Sequence, residues 1–154
     1  MPTITGSHFS ETFPLAIVIS RFNQDITDAL YTGAQQRLTR LGFNEHQVTN
    51  VWVPGAIEIP IAVQRLAQLD KFEVIIAFGA VIRGETAHFE YVCQQVSHGC
   101  QQVALNQDVP VIFGVLTTET HQQALARVGG DQGHIGIEAV NAAIEMVALL
   151  RQIE

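Results

Sequence analysis

Arginine, glutamate and histidine crowd a single glycine corner in the stretch GAVIRGETAHFEYV, Gly79 to Val92, where an apolar run gives way to a helical pattern. A helix that opens at Gly84-Glu85-Thr86 has free backbone N–H groups and a positive dipole end, which could hold an anion. The triphosphate-loop pattern GxxxxGK[ST] and the dinucleotide pattern GxGxxG are both missing. A glycine turn with Glu85 or Thr86 capping the helix explains the residues equally well, and the sequence leaves both readings open. His88 falls in the first turn, where the dipole favours a neutral imidazole suited to general acid–base work near pH 7. Taken alone, it also reads as an ordinary half-exposed helix histidine. Its place beside an anion-binding corner is what recommends it.

Other chemistry is less well supplied. His88, Glu90, Cys93, His98 and Cys100 are all metal-ligand types within one short span. On a single helix, however, His88 and Glu90 point about 200° apart, as do His98 and Cys100. Without HExxH or a paired CxxC, structural or solvent-facing roles are favoured and no metal is expected. Cys93 and Cys100 would share a helix face about 10 Å apart along the axis, too far for a disulfide. Lys71 is the sole lysine and stands where a strand begins, which disfavours Schiff-base catalysis. His8, His46 and His121 have no partner that the sequence identifies.

The corner needs elements to position it, and the chain alternates strand with helix. Phe13 to Ser20 reads as a buried strand, followed by a helix from Asp25 that Gly42 stops. Val48 to Val53 is the second strand, and Glu58 to Leu69 a helix that tolerates Pro60 in its first turn. Glu73 to Ile82 precedes a helix from Thr86 to Asn106. Val109 to Thr118 precedes a helix ending near Gly129, then a glycine-rich loop and a last helix from Gly136 to Gln152. Four such alternations predict an α/β fold, a three-layer α/β/α sandwich with a four-stranded parallel sheet of flavodoxin-like type.

Parallel sheets bind ligands beyond the carboxyl ends of their strands. The unusual residues gather there: Phe22 and Asn23 after strand one, Ala56, Ile57 and Glu58 after strand two, Glu85 and Thr86 after strand three. Phe113 interrupts strand four. Glu58 is either a favourable dipole partner of its helix or a hydrogen-bonding group for hydroxyls. Phe22 and Phe113 either fill core or wall a flat ring. Arg127 either caps helix carbonyls or reaches a phosphate.

Composition narrows the partners. The 154 residues, 47% apolar and 15% charged, fit one domain spanning 1–154. A formal charge of −7 without a basic cluster argues against nucleic acid or an anionic membrane. The first twenty residues show neither a signal peptide nor a membrane anchor, so the expected location is cytoplasmic.

Phe22-Asn23, VPGAIEIP (Val53 to Pro60), GAVIRGETAHFEYV and VIFGVLTTET (Val111 to Thr120), with the closing ALARVG…GIEAVNAAIEMVALLR, together resemble the lumazine synthase family from about Phe13 to Arg151. The resemblance implies a riboflavin-pathway transferase that condenses 5-amino-6-(D-ribitylamino)uracil with 3,4-dihydroxy-2-butanone 4-phosphate, without cofactor or metal. It implies that Phe22 stacks on the pyrimidine, with Phe113 of an adjacent subunit lining the same cavity. Ala56, Ile57 and Glu58 would hold the ribityl chain, with Asn23 hydrogen-bonding nearby. Val81 and Ile82 would line the heterocycle pocket, and Glu85 and Thr86 would offer N–H groups to the phosphate. His88 would shuttle protons, and Arg127 of a neighbour would pair with the phosphate.

The chain departs from the family pattern at Ile57, often phenylalanine, and at Asp131 and Ile135, often lysines. His134 would replace the missing cation in part. By the same resemblance, subunits form pentamers, free or as twelve in an icosahedral capsid, with segment 1–12 pairing with a neighbour. The short loop between the last two helices favours the capsid. The runner-up reading is a catalytically impaired flavin- or lumazine-binding, or cage-forming, relative. A flavin-binding electron carrier or receiver domain shares the βα alternation, but Ser20-Arg21-Phe22-Asn23 lacks a receiver's acidic cluster.

Overall fold

The four apolar runs pair as parallel strands, the inner two apolar enough on both sides to be covered twice and the outer two only partly buried. The computed structural model, which describes residues 1–7, 9 and 11–154, contains β1 (Leu15–Ser20), β2 (Val48–Val53), β3 (Val74–Ile82) and β4 (Val111–Thr118) in the order β2-β1-β3-β4. Every residue of β1 is buried, as are eight of the nine in β3. This is the expected three-layer sandwich with a four-stranded parallel sheet.

Strand parity divides the core. Leu15, Ile17 and Ile19, with Ile76 and Phe78, face α1 (Gln24–Arg40) and α5 (Ile135–Ile153). Ala16 and Val18, with Ile75 and Ala77, face α2 (Ile59–Ala67) and α3 (His88–Gln107). Burial of these side chains stabilises by about 1.5–3 kcal/mol each for Val, Leu, Ile or Phe. Two glycines let the layers close: a Cβ on Gly114 would lie 2.6 Å from the Phe78 ring, and one on Gly136 only 2.3 Å from the Leu30 carbonyl oxygen.

Boundaries differ from expectation mainly where helices begin. A single 3₁₀ turn, Ala56–Glu58, precedes α2, with Pro60 in the first turn as expected. The third helix starts at His88 rather than Thr86, because residues 84–87 are used in turning away from the sheet. The fourth, α4, spans only His121–Ala126. The expected glycine loop is instead a small hairpin, β5 (Val128–Gly130) with β6 (Gly133–His134). Gly129 and Gly133 at positive φ make the tight reversal possible. Its far end is pinned by His134, whose Nδ1 accepts from Gly136 N at 3.1 Å and so caps α5. Near the amino end, the Thr5 carbonyl accepts from Gln152 Nε2 of α5, while His8 lies outside the described residues.

The close approach at Gly136 yields a direct expectation. Gly136→Ala must push α5 off the backbone of α1, and urea unfolding should show a loss of about 1–3 kcal/mol.

Candidate active site

The chain runs from β1 outward to β2 and then returns to β3, so the connections that leave β1 and β2 diverge and open a crevice above the sheet. A cavity of about 510 Å³ occupies it. The cavity brings together Phe22, Ala56, Ile57, Glu58, Val81, Ile82, Thr86 and His88, eight residues singled out from sequence on three separate strand ends. Its walls are mostly apolar with a carboxylate on one side and an imidazole on the other, as a site for a polar heterocycle requires.

Each side chain is set by local structure. Phe22 is 70% exposed, so it is not a core residue. Asn23 takes the left-handed conformation that asparagine tolerates (φ 59°, ψ 51°) and caps α1 with its carbonyl. Its Nδ2 donates to the Ala80 carbonyl at 2.8 Å, tying the exit of β1 to β3. The side chain therefore lies beneath the site rather than among the cavity walls. Glu58 Oε2 accepts from Gly55 N at 3.0 Å, so the helix-end reading of this acid holds, while the residue also lines the cavity. Thr86 Oγ1 accepts from His88 N at 3.3 Å, a partial cap where Ala87 supplies none. His88 is the first residue of α3 and is exposed toward the cavity mouth.

Besides Asn23, three sequence-predicted residues do not line this cavity. Glu85 is an exposed member of the corner. Phe113 is 43% exposed on β4, an edge strand. Arg127 closes α4, where its Nη1 donates to the Gln123 carbonyl at 2.7 Å, the capping alternative, and it borders a separate shallow depression with Asp131 and Gln132. His134 is committed through Nδ1 to capping α5, so that ring nitrogen is not free for a phosphate. The sequence reading missed Phe89 and Val92, which complete the wall. Their i, i+3 spacing at the start of α3 was the available signal.

The remaining candidates take quieter roles. His121 Nε2 lies 2.5 Å from Asp25 Oδ2, joining the starts of α4 and α1. His46 is 3.9 Å from Glu45, with both side chains largely exposed. Among the described residues no cluster of three metal-ligating side chains occurs, and no helix is long and apolar enough to cross a membrane. Both cysteines are free; burial raises the Cys93 thiol pKa and pushes that of Cys100 up to about 11.

Comparison with known proteins comes to the same place. Residues 12–151 match the profile of a family described as 6,7-dimethyl-8-ribityllumazine synthase. Two proteins of that name from Coxiella burnetii, strains CbuG_Q212 and RSA 493 / Nine Mile phase I, are each 54% identical over 143 residues, covering 93% of this chain and 95% of theirs.

Cys100 supplies a pH test of the core behind the site. Above the ordinary thiol value of 9.0 and up to about 11, the folded protein keeps a proton that the unfolded chain has lost. Stability therefore falls as pH rises through that window. Urea unfolding across it should show a shallower decline for Cys100→Ala than for the unsubstituted protein.

Proposed function

We propose, because the chain belongs to the 6,7-dimethyl-8-ribityllumazine synthase family, that it condenses 5-amino-6-(D-ribitylamino)uracil with 3,4-dihydroxy-2-butanone 4-phosphate. The products are 6,7-dimethyl-8-ribityllumazine, phosphate and water, a step of riboflavin biosynthesis. The observation that carries this reading is the cavity at the strand ends, where an exposed aromatic ring, a carboxylate and an imidazole surround one apolar pocket.

In this reading the pyrimidine stacks on Phe22 against Val81 and Ile82. The ribityl chain runs along Ala56 and Ile57 to the Glu58 carboxylate, one oxygen of which is held by Gly55 N. Asn23 keeps Oδ1 for a polar contact while Nδ2 holds Ala80. The phosphate rests on N–H groups of Glu85 and Thr86. His88 carries protons as the substrate amine and ketone form an imine, phosphate leaves and the ring closes. The substrate supplies the amine, which accords with a chain whose single lysine, Lys71, is remote from the strand exits. Holding two substrates in register provides most of the acceleration, with proton transfer adding roughly 10²–10⁴-fold.

Phe113 and Arg127, which stand away from their own cavity, serve a neighbour's site in a homo-oligomer, a pentamer or twelve pentamers in a capsid. Support comes from the exposure of the large apolar side chains Ile61, Phe113 and Leu125 outside the cavity, which accords with a protein partner. β2 is an edge strand, which accords with segment 1–12 of an adjacent chain pairing there. The contact between Thr5 and Gln152 would be exchanged in that assembly. The domain spans 1–154, and the proposed location is cytoplasmic.

Mixing purified protein with the two substrates should give fluorescent lumazine above the spontaneous rate, and no excess over that rate, with folded oligomer present, would sink the reading. Arg127→Ala should raise the requirement for the butanone phosphate far more than that for the uracil. Equal effects on both would count against its pairing with phosphate.

A further inference from the structure

Arg83 is absorbed by none of the roles above, yet it makes more directed contacts than any other side chain at the corner. Its Nε donates to Glu119 Oε2 at 2.6 Å and its Nη1 to Glu90 Oε1 at 3.3 Å. The guanidinium carbon stands 4.5 Å from the centre of the Phe89 ring, and its backbone N donates to the Thr118 carbonyl at 2.9 Å. One planar group thus spends its edges on two carboxylates and its face on an aromatic ring. A lysine cannot reproduce that combination.

The contacts bracket His88. Phe89 and Glu90 are the next two residues of α3, and Phe89 is itself a wall of the cavity. Little else holds this turn: Gly84 to His88 are exposed, no atom lies within 4 Å of where a Cβ on Gly84 would sit, and Ala87 gives α3 no side-chain cap. Glu119 lies on the other side, one residue beyond β4, and its backbone N–H donates to Gln123 Oε1 of α4 at 2.8 Å. The guanidinium therefore ties the start of α3 to the end of β4.

We propose that Arg83 is a positioning residue that, by clamping Phe89 and Glu90 against Glu119, fixes the first turn of α3 and with it the place of the His88 imidazole at the cavity mouth. The inference deepens the proposed reaction and rests on the part that His88 takes in it. Arg83 touches neither substrate in that scheme and acts through the turn. Loss of the clamp leaves the Phe22 and Glu58 side of the cavity intact, so it should be felt in turnover rather than in binding of the uracil.

The test measures kcat, KM for each substrate and thermal unfolding for the unsubstituted protein, Arg83→Met, Arg83→Lys and Glu119→Gln. Arg83→Met should lower kcat roughly 10- to 100-fold, the range expected for misplacement of a reacting group, with little change in KM for the uracil or in melting temperature. Glu119→Gln should give a smaller loss of the same kind, and Arg83→Lys should restore part of the methionine variant's loss by keeping one ion pair. An unaltered kcat in Arg83→Met, or a loss that only tracks unfolded protein, overturns the proposal. If Arg83→Met does not fold, an unaltered kcat in Glu119→Gln overturns it. An inactive unsubstituted protein would instead sink the underlying reaction, which separates the two failures.

Discussion

The pairing of β1 with β3 is the constraint from which the cavity follows. With β2 on the other flank of β1, the chain must leave β1 toward one face, through α1, and leave β2 toward the other, through α2. The crevice between those departures is then unavoidable geometry. The register Ile19↔Phe78 sets Phe22 beyond one strand end and Val81 and Ile82 at the neighbouring one. The bond from Asn23 to Ala80 holds the two exits together where the ladder stops. The inner strands β1 and β3, deeply buried on both faces, give the loops above them a fixed floor.

The residues around that crevice are economical in a particular way. Glu58 braces Gly55, Thr86 braces the start of α3, and Asn23 braces β3, each while standing in or next to the cavity. Their side chains are thus held before any ligand arrives, which reduces the ordering cost of binding. The sequence posed capping and ligand contact as rivals for Glu58 and for Thr86. The structure supplies the capping half and leaves both residues facing the cavity.

The alternation of apolar runs with helical spacing made the strands and their parallel order legible, and β2 agrees residue for residue. The strand ends were legible for the same reason, since Phe22, Glu58 and His88 are odd residues immediately after apolar runs. Signals with no period were harder to read. The β5–β6 hairpin is too short for alternation to register, and the start of α3 depends on how many residues the corner spends turning. Arg83 and Glu119 needed register: once Ile82 is opposite Thr118, the residues beyond them must meet. Phe113 and Arg127 illustrate a different boundary, because a single chain's sequence pattern carries no instruction about which cavity a side chain on its rim will face.

The hairpin between α4 and α5 is unequal at its two ends. Gly133 turns in open space, with φ 81° and nothing within 4 Å of a would-be Cβ. In the very next residue the His134 ring is wedged over Gly33 of α1, and two residues on Gly136 rests on the Leu30 carbonyl. Foreign sequence spliced beside Gln132 would be extruded into solvent, whereas the same graft beyond His134 would have to prise two core helices apart. As a scaffold for displayed peptides, the molecule has a permissive window here that is narrower than the glycine-rich stretch suggests, confined to the turn between Gln132 and Gly133, since a Cβ on Gly130 would lie 2.8 Å from Ala126 Cα.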